Sequence, residues 1–145
     1  MIRLFQASDK PAILTIFDQN TPQFFAEEER DHLDFYLDRF GNSYLCCIED
    51  GKIVGGAGYQ FLEDFTIGSI TWILFDPDHA GKGLGKELMA FAENILLKEP
   101  RLQMFRIRTS QLVTGFFIRL GYAVVDVKKD YWAPGFDLVI VEKGK

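Results

Sequence analysis

Apolar positions along this chain recur with two periods, near two and near 3.6, and the switches between them divide it into eleven elements. Ile2–Phe5 reads as a short strand. Ser8 or Asp9 can cap the next helix, with Pro11 tolerated in its first turn and Ile13, Ile16 and Phe17 on one face. A loop, Thr21–Phe25, carries Pro22 and the aromatics Phe24 and Phe25. Glu27-Glu28-Glu29 opens a second helix with acids at the positive end of its dipole. Leu33, Tyr36, Leu37 and Phe40 line its inner face, and Gly41 ends it. Strands Tyr44–Glu49 and Lys52–Phe61 flank Asp50-Gly51, a two-residue turn that favours positive φ. Thr66–Phe75 alternates Ile70, Trp72 and Leu74 against Ile67, Ile73 and Phe75, so it predicts a strand covered on both faces. Asp76-Pro77 stops it. A long helix from Gly81 to Lys98 presents Leu84, Leu88, Phe91, Ala92 and Ile95 inward. Strand Met104–Arg108, helix Ser110–Leu120 and strands Tyr122–Lys128 and Asp137–Val141 complete an α+β (mixed α/β) order around one sheet.

Composition narrows the classes. At 145 residues the chain fits a single domain spanning 1–145. With 48% apolar and 26% charged residues it is a globular sequence, not a disordered or collagen-like one. A net charge of −5 argues against coating nucleic acid. The adjacent Cys46 and Cys47 point to opposite faces of a strand, and His32 and His79 lie far apart, so no disulfide framework or metal site is expected. No 18-residue apolar run is present to span a membrane, and the first residues lack a signal-peptide core, so a cytoplasmic location is the expectation.

The chemistry concentrates between Phe75 and Lys86, where a strand ends, a glycine-rich loop comes next and an amphipathic helix begins. Backbone N–H groups unshielded by side chains at a helix N-terminus form an anion site backed by the dipole, and Lys82 and Lys86 add positive charge. A Walker A loop would need glycine at 80 and a hydroxyl at 87, where Ala80 and Glu87 stand. A Rossmann fingerprint would need glycine at 86 or 88, where Lys86 and Leu88 stand.

The surviving pattern, Gly81-Lys82-Gly83-Leu84-Gly85 after a strand ending in Asp76-Pro77, resembles the acetyl-CoA pyrophosphate loop of the GNAT superfamily of N-acetyltransferases. A second match runs from Thr109-Ser110-Gln111 to Phe116-Phe117 and Leu120-Gly121-Tyr122, and the element order also resembles that family's. The resemblance implies a GNAT-like fold, a mostly antiparallel sheet of about seven strands flanked by about four helices. It implies acetyl-CoA as cosubstrate, without a metal, contacting Ile73, Leu74, Phe75, Gly81, Lys82, Gly83, Leu84, Gly85, Lys86, Ser110 and Phe117. An amide near Leu74 would face the thioester oxygen. Two departures stand out: Ala80 replaces the usual Gln or Arg, and Phe117 replaces a tyrosine that many members use as an acid.

Glu63 and Asp64, in the turn entering the fourth strand, are the candidate bases for deprotonating an amine; solvated turn residues are the alternative. Residues 18–64 hold eleven acids against three bases, whereas residues 79–145 hold eleven bases against seven acids. This division favours a cationic amine acceptor at the acidic half, though a solvated helix face, Glu27–Asp38, gives the same imbalance. Phe24, Phe25, Tyr59 and Tyr131-Trp132 are candidate walls of an acceptor pocket; core packing is the alternative for the phenylalanines, whereas Pro134 and Gly135 mark the Trp132 segment as loop. Arg106 and Arg108 alternate on one strand and read as a solvated face. Three functions stay open: an acetyltransferase, a coenzyme A-binding module that has lost the chemistry, and a generic nucleotide-phosphate binder. Monomer and homodimer are both compatible with the sequence.

Overall fold

The computed structural model describes all 145 residues. Strands β1 (Ile2–Leu4), β2 (Tyr44–Glu49), β3 (Lys52–Leu62), β4 (Ile67–Phe75), β5 (Met104–Thr109), β6 (Ala123–Ala133) and β7 (Phe136–Gly144) form one sheet in the order β1-β2-β3-β4-β5-β7-β6. Every pairing is antiparallel except β4 with β5. Helices α1 (Lys10–Gln19) and α2 (Arg30–Phe40) cover one face, and α3 (Leu84–Leu96) and α4 (Thr114–Arg119) the other. No helix is long and apolar enough to cross a membrane.

Local chemistry accounts for most boundaries. Asp50 and Gly51 both have positive φ, as the β2–β3 turn demands. Pro134-Gly135, with Gly135 at φ 84°, turns β6 into β7. Glu27–Glu29 form a 3₁₀ turn ahead of α2, in which Glu29 reaches back to accept from the Ala26 amide at 2.9 Å. Helix α4 is shorter than its apolar pattern predicts. The Ser110 hydroxyl accepts from the Leu112 amide, and the Thr114 hydroxyl donates to the Ser110 carbonyl, so 110–113 is a turn.

Cys46 faces α1 and α2 while Cys47 faces α3, as alternation requires, and both thiols are free. On α3 the buried stripe is Leu84, Leu88, Met89, Ala92 and Leu96; Phe91, expected inside, lies 43% exposed.

Strand β4 departs from simple alternation. Gly56 pairs with Leu74 but Gly58 pairs with Thr71, so Ala57 stands opposite both Trp72 and Ile73. Trp72 takes φ +50°, the mark of a bulge. The extra residue reverses the facing of every later position in the strand. Ile70 joins Ile73 and Phe75 against the α3 core, and Trp72 joins Leu74 on the α1–α2 side. The expected grouping of Ile70 with Trp72 and Leu74 is therefore corrected by one inserted position.

Candidate active site

Two arms of the sheet part at the centre of the molecule. Strands β4 and β5 pair only over Ile67–Ser69 and Met104–Arg106. Beyond that seam, Ile70–Phe75 has β3 on one edge and no strand on the other, and Ile107–Thr109 has only β7. The result is a fork open toward the end of β4. Asp76 donates its amide to the Val54 carbonyl at 2.8 Å, which sets the phase of the ladder. Alternation then turns the Leu74 amide inward to β3 and the amides of Ile73 and Phe75 toward the fork. The expectation of a free amide at Leu74 moves to its neighbours.

The glycine loop sits at the mouth of the fork. Asp76 caps a short 3₁₀ turn, Pro77–His79, by accepting from the Asp78 amide at 2.9 Å. Gly81 (φ 81°) and Gly83 (φ 77°) are left-handed, and a Cβ built on either would meet no atom within 4 Å. The first amide in this stretch that donates to the protein is that of Glu87, to the Gly83 carbonyl. The six amides of Gly81–Lys86 donate to nothing. They crown the N-terminus of a 13-residue helix, with the exposed Lys82 and Lys86 beside them. Main-chain donors, a helix dipole and two ammonium groups suit a diphosphate. Gly85 has a different reason: its Cβ would lie 3.1 Å from the Phe116 ring, so glycine lets α3 approach α4.

Asn20, which nothing in the sequence marked, ties the other side of the fork. Its Nδ2 donates to the carbonyls of Ile16 (2.8 Å) and Phe75 (2.9 Å), joining the end of α1 to the end of β4. Its own carbonyl accepts from the amides of Phe24 and Phe25 and folds the loop back. Phe25 thereby lies against Phe17 and stacks on Trp72 at 6.2 Å, beside the bulge.

Two open cavities cross the sheet face on the α2 side and share Gln60 and Leu62. One, about 370 Å³, is bordered by Tyr36, Phe40, Glu63 and Asp64. The other, about 450 Å³, is floored by Ser69, Arg106, Arg108 and Ile140. The two arginines thus belong to a cavity rather than to a plain solvated strand. Arg106 pairs with Glu142 at 2.6 Å and lies 3.7 Å from Glu63.

Glu63 and Asp64 are exposed, in a left-handed turn with Phe65 at the start of β4. The glycine loop lies past the other end of that nine-residue strand, roughly 25 Å away at about 3.3 Å per residue. The structure therefore does not bring the two acids to the loop. Ser110 and Phe117 are buried near the β5 arm; Phe117 packs edge-on against Phe116 and Tyr122. Tyr122, the neighbouring phenol, donates to Glu93 at 2.7 Å, and burial with that bond holds it far above the ordinary tyrosine range. Burial also pushes the Cys46 thiol up to about 12 and raises that of Cys47, so neither is a nucleophile at neutral pH. No cluster of three or more His, Cys, Asp or Glu side chains stands ready for a metal.

The acetyltransferase (GNAT) family profile matches residues 11–122. No curated protein matches the sequence. Among solved structures, Ard1 from Thermoplasma volcanium superposes with a TM-score of 0.83 at 14% identity, over 99% of this chain and 96% of its own. The ribosomal-protein-S18-alanine N-acetyltransferase from Escherichia coli gives 0.78 at 19% identity, over 99% and 92%. An aminoglycoside 6'-N-acetyltransferase complexed with coenzyme A gives 0.78 at 11%, over 99% and 96%.

Proposed function

Because the chain belongs to the GNAT acetyltransferase family, we propose that it moves an acetyl group from acetyl-CoA to a primary amine by direct attack, both reactants being held in the fork. The observation that carries this reading is the row of free amides at Gly81–Lys86 beside an unpaired strand edge. When bound, acetyl-CoA supplies an activated thioester and a thiol leaving group. Gly81–Lys86 grip its diphosphate through the main chain, and the edge of β4 from Ile73 to Phe75 pairs with its extended arm like an added strand. The outward amides of Ile73 and Phe75 are the donors placed to stabilise negative charge developing on the carbonyl oxygen. Holding both reactants in one cleft supplies up to about 7–11 kcal/mol.

An ordinary amine, with pKa about 10.4, must shed a proton before it attacks. Glu63, tied to the groove through Arg106, is the terminal acceptor of that proton; Asp64 forms no ion pair there. The proton reaches Glu63 along a chain of groove waters, because the start of β4 lies about 20 Å from Ile73. Phe117 has no proton to give, and the Tyr122 hydroxyl is committed to Glu93. A thiol of pKa about 8.5 departs without a protein acid.

Incubating the protein with acetyl-CoA and an amine panel tests this directly by release of free thiol. Release with at least one acceptor is expected. The absence of a tyrosine acid favours a second reading, a coenzyme A-binding module without chemistry, for which acetyl-CoA would raise the melting temperature but no amine would release thiol.

A further inference from the structure

Arg108 is the arginine of the larger cavity with no carboxylate partner. Its neighbour on the same face, Arg106, is neutralised by Glu142 and approached by Glu63. Arg108 is instead fixed by aromatic groups. Its guanidinium carbon lies 5.3 Å from the centre of the Tyr131 ring and 5.4 Å from that of Trp132. One guanidinium nitrogen donates to the Tyr131 hydroxyl at 2.8 Å. Trp132 is held in turn by its indole N–H, which donates to the Thr109 carbonyl at 3.1 Å. A guanidinium carries five N–H donors in a rigid plane, and this is the single hydrogen bond Arg108 makes. The group is exposed, pinned in orientation, and otherwise uncommitted.

Its position gives that arrangement meaning. Arg106 is the last β5 residue paired with β4, so Arg108 stands two residues along the free arm of the fork. Its side chain points to the face opposite α3, into a cavity of about 450 Å³, the size of a small-molecule site.

Building on the acetyl-transfer reading, we infer that the amine acceptor also bears a carboxylate, that Arg108 binds it, and that the substrate class is small amino acids. Such an acceptor is a zwitterion at neutral pH. Its carboxylate takes the free donors of Arg108, and its ammonium group lies toward the open end of the fork, beside Ile73 and Phe75. The sequence pointed to a cationic acceptor from the acidic half alone. The aromatic-braced guanidinium adds the second pole.

The test uses the whole protein with acetyl-CoA and matched sets of acceptors: free amino acids, their carboxamides, and the corresponding decarboxylated amines. By thiol release, kcat/KM for the best free acid should exceed that for its amide and amine by about tenfold or more, the scale of a hydrogen-bonded charge. Arg108→Met should erase the preference by raising KM for the acid alone, and Arg108→Lys should keep part of it. Equal or better turnover of the amides overturns the inference while leaving acetyl transfer intact. Should no amine release thiol, the acetyl-transfer reading is the one that fails, and a binding measurement still decides on Arg108. Tryptophan fluorescence, titrated with the same acids and amides in the presence of coenzyme A, should saturate with the acids and lose that response in Arg108→Met. Identical responses to acid and amide, or an unchanged response in the variant, overturn the carboxylate site.

Discussion

Gly83 begins α3 in a left-handed conformation with open space where a side chain would start. A Cβ there meets no part of the protein, yet a valine strains the main chain by about 1–3 kcal/mol and shields the amides around it. Gly83→Val should therefore stay folded by circular dichroism while calorimetry shows its affinity for acetyl-CoA down by about tenfold or more, a loss on the scale of one or two charge-assisted hydrogen bonds. Glycines of this kind were legible in the sequence because a phosphate-gripping loop admits few other residues. Asn20 and Arg108 were not. An asparagine at a helix end is an ordinary cap, and only the fold brings it to the carbonyl of Phe75, 55 residues away. An arginine in an alternating strand is ordinarily solvated, and the aromatic pair that fixes this one lies 23 residues further on.

Strand β3 is narrow where β4 crosses it. The run Gly55-Gly56-Ala57-Gly58 leaves room for side chains from both neighbours. A Cβ on Gly55 would lie 2.5 Å from the Phe75 ring and 2.7 Å from the Leu74 carbonyl oxygen, a main-chain atom that cannot step aside. Gly55→Ala should cost about 1–3 kcal/mol in urea denaturation, the range of an overpacked interior. Because it pushes on the free arm of the fork, it should also weaken acetyl-CoA binding, whereas an exposed substitution of equal size should do neither. Elements were largely readable from periodicity, down to the two-residue turn at Asp50-Gly51. The bulge was not. Period two assigns faces by counting, and one inserted residue at Trp72 renumbers them without leaving a mark in the letters. What a linear pattern misses here is a tertiary decision, the parting of β4 from β5.

Across the molecule, β1 is tied to the first helical turn by a partly buried ion pair. Arg3 grips Asp9 through two bonds, 2.7 and 3.0 Å, and the Gln6 amide donates to the same carboxylate at 2.7 Å. The guanidinium, more than the amide, holds the Asp9 carboxyl below its ordinary value of 3.8. A depressed carboxylate contributes its full stability above that ordinary value and loses it as pH falls through the folded one. Denaturation midpoints should thus decline on acidification below about pH 4, and the part of that decline due to Asp9 should vanish in Asp9→Asn. The two-faced architecture was visible in the sequence because β4 is apolar on both sides. The placement of the cavity lined by Arg106 and Arg108 on one face was not, since it depends on where α2 stops covering the sheet.

Within a sheet, amide hydrogens trade slowly with solvent deuterium because neighbouring strands hold both edges. The seam between β4 and β5 is three residues long, so the outward amides of Ile70–Phe75 and Ile107–Thr109 lack that protection on one side. Deuterium uptake by mass spectrometry should mark these arms as fast islands inside an otherwise slow sheet. Saturation with coenzyme A should slow the β4 island, the edge proposed to pair with its arm, far more than the strands around it.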